Sequence, residues 1–286
     1  MGPKVSALVP CYNSSAFLLE TLDCLAAQTW LNLEILIGDD CSTDDTLAIA
    51  RRFAEGRANV RILERPRNLG WLGNSNDLMA QATGEICFFA FHDDIVTPDY
   101  VEKLATALSN HPSAIMAFSH LTLTELDGST TVHAFAAIVG VRSAFRRGLL
   151  MAKLPDDWWV PNRGLFRTDA FHRIGGIHRN EAGEFSADWT WLLHMSLLGE
   201  FVCVPELLCF KRYQPNSVSK NWPGSRDRNS SALRRAGISE IGGSNIGLLP
   251  KVLLMAYIYS AWYVVRYYPA GAMRMIQGVL RRARGH

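Results

Sequence analysis

Three groups of carboxylates carry the chemistry that this sequence can do: Asp39-Asp40, Asp93-Asp94 beside His92, and Asp188. Adjacent carboxylates repel each other and lose solvation when partly buried, so such a pair costs stability unless donors or a cation meet it. Their oxygens bind hard divalent cations, accept hydrogen bonds from a ligand, or take a proton from a hydroxyl. Other acids have plainer uses. Asp44 and Asp45 open a helical pattern, and Asp99 follows Pro98 at the start of another, so all three read as helix caps. On position alone Asp188 also reads as a cap.

The elements that must position these groups alternate short apolar runs with amphipathic stretches. Strands are predicted at Val5–Val9, Glu34–Ile37, Val60–Leu63, Ile86–Phe91 and Ile115–Ser119. Helices are predicted between them. The first carries Phe17, Leu18, Leu22 and Leu25 behind Ser14 or Ser15 as N-cap, and the others cover Asp44–Phe53, Asn74–Ala82 and Pro98–Ser109. Strands joined by helices of this length imply right-handed crossovers and a mostly parallel sheet. Ligands of such sheets bind outside the carboxyl ends of the strands. Pro10-Cys11-Tyr12-Asn13, Asp39-Asp40 and His92-Asp93-Asp94 all fall at those ends.

Periodicity weakens over 120–160, which reads as loops and edge strands, then revives. A short helix over Asp169–Ile174 is stopped by Gly175-Gly176, a longer one covers Asp188–Leu198, and a strand covers Phe201–Val204. Residues 216–247 are rich in Ser, Asn, Gly and Arg and read as a linker or mobile segment. Val252–Val265 is a charge-free run of fourteen residues, shorter than the ~20 a helix needs to cross a bilayer. It suits a core helix or one lying in a membrane interface.

With 286 residues, 48% hydrophobic and 20% charged, the chain is neither disordered nor collagen-like. Its six cysteines form no C-x-x-C pair and read as reduced thiols of a cytoplasmic protein. The net charge of +2 divides into −6 over residues 1–225 and +8 over 226–286. A mildly acidic body argues against nucleic-acid binding. A basic end with Arg281, Arg282 and Arg284 suits either solvent or an anionic lipid surface. No secretory signal is read at the start, and neither a P-loop nor a G-x-G-x-x-G fingerprint is present.

Several segments, taken in order, resemble the family 2 glycosyltransferases of the GT-A fold. They are Pro10-Cys11-Tyr12-Asn13, the run Glu34 to Thr46 through Asp39-Asp40-Cys41-Ser42-Thr43, Asn68-Leu69-Gly70, Gly84-Glu85-Ile86, and His92-Asp93-Asp94 ahead of Pro98. The similarity covers about residues 4–212. It implies an α/β fold, Rossmann-like, with a mostly parallel central sheet flanked by helices. The expected organisation is a GT-A domain over 1–215, a linker over 216–247 and a helical basic tail over 248–286.

The resemblance also implies a reaction, namely inverting transfer of a sugar from a nucleoside-diphosphate sugar to a hydroxyl of a glycan or lipid-linked acceptor. The implied setting is the cytoplasm, peripheral on the inner membrane face, with no nucleic acid involved. Asp40 would accept a hydrogen bond from the nucleotide base, flanked by Pro10, Tyr12 and Asn13, while Asn68, Gly70 and Asn76 cover the nucleotide. Asp93 would hold Mg²⁺ or Mn²⁺, Asp94 and His92 would make ribose or water-mediated contacts, and Asp188 would take the acceptor's proton. The chain departs from the family pattern at Phe91 and Ala187, each standing where a carboxylate is usual, and at Asn74-Ser75 in place of Ala-Arg. Those departures motivate an alternative, a catalytically degenerate binder of a nucleotide sugar or glycan. Trp158-Trp159 reads equally as a sugar platform or as packing, and Lys211-Arg212, with the Ser217/Ser219 region, as a solvated surface segment or, less favoured, a closing loop over the diphosphate.

Overall fold

A computed structural model describes residues 2–213 and 223–267. The sheet begins with three flush parallel strands. β1 (Val5–Cys11) lies between β2 (Leu33–Asp39) and β4 (Ile86–Phe89), and β3 (Val60–Glu64) adds outside β2. Every residue of β1, β2 and β4 is buried, as strands covered on both faces must be. Beyond β4 come β8 (Leu165–Arg167), β6 (Ala114–Thr124), β9 (Glu200–Arg212) and β5 (Ile95–Val96), with β7 (Thr130–His133) paired to β6. The long ladder between β6 and β9 is parallel, and short antiparallel pairings through β8 join the two halves.

The helices are α1 (Leu18–Ala26), α2 (Thr46–Ala54), α3 (Gly70–Gln81), α4 (Tyr100–Asn110), α5 (Ala144–Ala152), α6 (Thr168–Ile174), α7 (Ala187–Leu198), α8 (Arg226–Gly243) and α9 (Leu248–Tyr267). Phe89, Phe166, Phe171 and Trp191 form an aromatic cluster between sheet and helices, with ring centroids 5.2–6.4 Å apart. Gly175 ends α6 at φ +86°, a left-handed conformation that glycine adopts without steric cost.

The structure departs from the sequence expectations in four places. Neither Ser14 nor Ser15 caps α1 through its side chain; the Ser14 carbonyl instead accepts from the N–H of Phe17 and Leu18, both at 3.0 Å. α3 begins one turn earlier than expected. α5 occupies part of the stretch read as loops, its pattern hidden by a charge on the buried face. That charge is Arg147, 3% exposed, which donates to the carbonyls of Ser196, Val141 and Arg142 at 2.7–2.8 Å. Residues 226–243 of the expected linker form α8 instead. Gly237 lets α8 approach the Trp189 ring closely, and Glu240 meets Nδ1 of both His178 and His194 at 2.7 Å. Residues 216–222 of that stretch, and 268–286 of the tail with Arg281, Arg282 and Arg284, lie outside the described residues.

α9 buries Leu254 and Ile258 and leaves Leu249, Val252, Leu253 and Tyr259 exposed. No helix among the described residues is long and apolar enough to cross a membrane.

A buried polar clamp ties the first strands together. Glu34 of β2 accepts from Lys4 Nζ at 2.8 Å, from Thr83 N at 2.7 Å, from Thr83 Oγ1 at 2.8 Å, and from Ser6 Oγ. Burial opposes its charge, but these donors outweigh that and lower its pKa to about 2. A carboxylate with a depressed pKa stabilises the fold above its unfolded pKa, and the contribution disappears as pH falls through the folded value. Glu34→Gln is therefore expected to cost roughly 2–3 kcal/mol near neutrality, the lower end because Lys4 is open to solvent. Urea unfolding at stepped pH checks this: between pH 5 and 2 the wild type should lose that stability and the variant should not.

Candidate functional site

The site grows from the flush carboxyl edge of β1, β2 and β4. Cys11 pairs with Asp39 in register, Asp40 N donates to the Cys11 carbonyl at 2.9 Å, and Ala90 N donates to Leu8 O at 2.8 Å. The chain leaves β1 and β2 through left-handed residues, Asn13 (φ 48°) and Cys41 (φ 63°). Their loops then lock together. Asn13 Oδ1 accepts from Thr43 N at 2.8 Å, Asn13 N donates to Ser42 Oγ at 3.0 Å, and Asp44 accepts from Ser15 N and Thr46 N at 3.1 and 3.0 Å. Asn13 thus spends its side chain on the neighbouring loop, Pro10 is buried at the end of β1, and Tyr12 stands at the rim, 47% exposed.

Asp40 sits beneath this rim, 2% exposed, with Oδ1 accepting from Leu69 N at 2.7 Å. Burial pushes its pKa up, against the N–H groups of Leu69 and Gly70. Asn68 Oδ1 accepts from Gly70 N at 2.9 Å, and Gly70 takes φ +80° with Glu184 packed where a side chain would project. Asp40, Asn68 and Gly70 are thereby brought together. Asn76 is not. Its amide exchanges two hydrogen bonds with the backbone of Ile177, at 2.8 and 2.9 Å, and straps α3 to the Gly175-Gly176 turn. Both polar atoms of the Asn76 side chain are thus engaged by the Ile177 backbone.

At the end of β4, Asp93 and Asp94 diverge. Thr21 Oγ1 donates to the carbonyls of His92 and Asp94 at 3.0 and 3.1 Å and pins the turn. Asp94 points inward, its side chain 5% exposed, and Oδ2 accepts from Arg163 Nε at 3.0 Å. The Arg163 guanidinium lies 4.6 Å from the Phe91 ring centroid and 5.5 Å from that of Trp159. The Tyr100 hydroxyl donates to its carbonyl. Asp94 Oδ2 is thereby committed to Arg163. Asp93 is half-buried and has no hydrogen-bond or ion-pair partner among the described residues. His92 Nδ1 lies 3.4 Å from the Pro10 carbonyl.

Asp188 opens α7 from the opposite side. Its Oδ2 accepts from Asn162 Nδ2 at 3.2 Å and its Oδ1 from Trp189 N at 3.1 Å. Burial pushes its pKa up, and the positive charges of Arg163 and Lys211 hold it back. The same two cations feel Asp93 and Asp94. Carboxylates nearly a hundred residues apart therefore surround one pair of positive charges.

No group of three His, Cys, Asp or Glu side chains that could hold a metal occurs among the described residues. Asp93 nevertheless fits a hard cation, because its oxygens are uncommitted and Mg²⁺ or Mn²⁺ completes its shell with water and substrate phosphates. Phe91 offers no ligand and is covered by Arg163.

Sequence reasoning missed Asn162, Arg163 and Glu184, and misplaced Lys211. Lys211 is 8% exposed rather than solvated, because β9 runs on to Arg212. A charge that directly continues an apolar run, as in Leu207-Leu208-Cys209-Phe210-Lys211, was the available signal. Trp159 is half-buried over Arg163 and 5.1 Å from the His133 ring, which favours the packing reading of the tryptophan pair.

The family model described as "Glycosyl transferase family 2" matches residues 6–153. Poly(ribitol-phosphate) beta-N-acetylglucosaminyltransferase TarS of Staphylococcus aureus is 31% identical over 116 residues, which is 40% of this chain and only 20% of TarS. Glycosyltransferase GlyG of Streptococcus pneumoniae is 29% identical over 225 residues, 77% of this chain and 74% of GlyG. The structure of TarS 1–349 with UDP-GlcNAc superimposes with a TM-score of 0.70 at 19% identity, covering 90% of this chain and 71% of the other. Mannosyltransferase PcManGT of Pyrobaculum calidifontis, in complex with GDP-Man and Mn²⁺, gives 0.57 at 16% identity, covering 99% and 81%.

The Asp94–Arg163 pair yields a stability prediction. Removing one partner leaves the other charge buried and alone, which costs about 3–5 kcal/mol, whereas replacing both by apolar groups is often neutral. Arg163→Ala should lose that much in urea unfolding, and Arg163→Met with Asp94→Leu should recover most of it. A fully stable Arg163→Ala would refute the assignment.

Proposed function

The chain belongs to glycosyl transferase family 2, and from that membership we propose that it transfers a sugar, with inversion, from a nucleoside-diphosphate sugar to an acceptor hydroxyl. The observation that carries this reading is the placement of Asp93 and Asp188 around the shared charges of Arg163 and Lys211, at the strand edge that also holds Asp40. Asp40 receives the nucleotide base beneath Pro10, Tyr12 and Asn13, with Asn68 and Gly70 closing over it. Asp188 takes the proton of the acceptor hydroxyl as its oxygen attacks the anomeric carbon from the face opposite the diphosphate. A raised pKa suits that role, because a base works best when its pKa approaches the working pH. Mg²⁺ or Mn²⁺ held by Asp93 would neutralise charge on the departing diphosphate. Arg163, fixed by Asp94 and stacked on Phe91, adds positive charge near Asp188 and Asp93.

Support for the donor class comes from the solved relatives, whose complexes hold UDP-GlcNAc in one case and GDP-Man with Mn²⁺ in another. TarS, as its name states, acts on poly(ribitol-phosphate), which is consistent with a polymeric or lipid-linked acceptor here. A second reading, binding without turnover, draws on Phe91 and on Ala187, which is fully buried and offers no carboxylate beside Asp188. Nucleotide release with a panel of donors separates the two readings.

In that assay Asp188→Asn should lower kcat about 10²–10⁴-fold, the usual worth of a general base, and EDTA should suppress turnover. The base must be ionised, so kcat/KM should fall as pH drops through the raised Asp188 pKa. Full activity in Asp188→Asn would remove the base assignment, and turnover indifferent to EDTA would remove the role of Asp93.

The membrane-peripheral setting draws on α9. Leu249, Val252, Leu253 and Tyr259 make a stripe at helical spacing, with Leu249, Val252 and Leu253 at 68%, 52% and 48% exposure, and no acidic residue follows Glu240. Such a face enters the headgroup boundary of an anionic bilayer. Liposome flotation should recover the wild type with anionic vesicles and lose the variant carrying Leu249→Ser, Val252→Ser and Leu253→Ser. Equal recovery of both would remove the membrane proposal.

A further inference from the structure

Helix α5 is inside out by the standard of a surface helix. Its buried face carries Arg147, Gly148, Met151 and Ala152, while Leu149 and Leu150 are only half-buried. Arg146, Leu149, Leu150 and Lys153 recur at the spacing that places residues on one helix face. Arg142, in the turn leading into α5, joins them and Val141 in lining an open groove of about 640 Å³. No acid lines that groove. Among the described residues, none of the side chains of Arg142, Arg146 and Lys153 has a hydrogen-bond or ion-pair partner.

Residues 1–225 carry a net charge of −6, so three unopposed cations in one groove reverse the character of the body around them. Like charges gathered this way repel until an anion joins them. The leucines between the cations select the kind of anion. A soluble phosphate has no use for an apolar floor, whereas a lipid presents phosphate and hydrocarbon together. Arginine and lysine stems lie along hydrocarbon while their charged ends reach phosphate.

Helix α9 borders the same surface. Gly148 carries no side chain, and a Cβ there would lie 3.0 Å from Leu254 of α9, so the two helices pack closely. Ile258 of α9 instead meets α8 beside Gly237. At 100° per residue, Leu253 and Leu249 are rotated from Leu254 in the sense opposite to Ile258. The exposed stripe of α9 therefore continues on the α5 side, next to the cations. On its other flank α5 packs antiparallel on α7, with Arg147 donating to the Ser196 carbonyl at 2.7 Å and Trp189 Nε1 to the Met151 carbonyl at 3.0 Å. The Lys153 end of the groove thus lies toward the start of α7, which carries Asp188.

We propose that the groove on α5 binds the phosphate of an anionic phospholipid and so fixes α5 and α9 together against a bilayer surface. The inference rests on the membrane setting proposed above and deepens it. In this arrangement α9 supplies apolar insertion, and Arg142, Arg146 and Lys153 supply the preference for negative charge.

Co-sedimentation of the full chain with vesicles tests the site. One set is phosphatidylcholine alone, the other equal parts phosphatidylcholine and phosphatidylglycerol. The variant carrying Arg142→Gln, Arg146→Gln and Lys153→Gln should bind the anionic set about 100-fold more weakly than the wild type. Its binding to the neutral set and its melting temperature should hold, because these side chains have no partner to lose. Arg142→Lys with Arg146→Lys, which keeps the charge, should bind within about threefold of the wild type. A control carrying Arg51→Gln, Arg52→Gln and Arg61→Gln removes the same charge at the β3 edge of the sheet and should also stay within about threefold. If the groove variant binds anionic vesicles like the wild type, or loses no more than the control, the groove assignment falls and the α9 reading stands. A wild type that ignores both vesicle sets overturns both. If it ignores them yet binds inorganic polyphosphate, and the groove variant does not, the groove serves a soluble phosphate polymer and the lipid assignment is overturned.

Discussion

The ion pair between Asp94 and Arg163 is the constraint on which the rest of the site depends. Both groups are largely out of water, with side chains 5% and 13% exposed, so neither can be kept without the other. The pair fixes a guanidinium over Phe91, at the position where a second metal-binding carboxylate would otherwise be expected. It also sends Asp94 inward and leaves the adjoining Asp93 uncommitted. Because Asp188 lies within the field of the same arginine, the charge state of helix α7 is coupled to the turn after β4. The charge of Arg163 favours the ionised forms of Asp94 and Asp188 together.

The pair is itself held by ordinary fold geometry. Tyr100 of α4 donates to the Arg163 carbonyl, Thr21 of α1 donates to the carbonyl of Asp94, and Asn162, one residue before the arginine, reaches Asp188. The turn Val160–Arg163 thus connects the sheet edge to α7 directly. A comparable coupling operates around Asp40. Arg179 donates to the Leu69 carbonyl and to Glu184 at 2.8 Å each, while Leu69 N donates to Asp40. The loop leading into α7 therefore braces the segment that covers Asp40.

α8 adds a further brace outside the region matched by the family model. Glu240 reaches across to His178 and His194, and its hydrogen bonds to them outweigh burial and lower its pKa, while the same bond raises the pKa of His178. His178 directly follows Ile177, the residue strapped to α3 by Asn76. The appended helices are in this way mechanically continuous with the site, although neither contributes a residue to it.

The sequence by itself determined the alternation of strands and helices over the first 119 residues, the parallel pairing of the first strands, and the polar clusters at their carboxyl edge. These features are local: hydrophobic periodicity and neighbouring turn residues encode them within a few positions. It also carried Asp40, Asp93 and Asp188 through the order of recognisable segments. Only the tertiary structure decided that Asp94 turns inward while Asp93 does not, that Asn76 serves as a strap, and that Arg163 and Lys211 are buried beside the acids. The partners in each case lie far apart along the chain, 69 residues for Asp94 and Arg163 and 101 for Asn76 and Ile177. Arg147 on α5 and the small residues of α8 were illegible for the same reason. Whether a charge or a glycine belongs in a buried face depends on the carbonyl or ring that meets it, and packing alone supplies that partner.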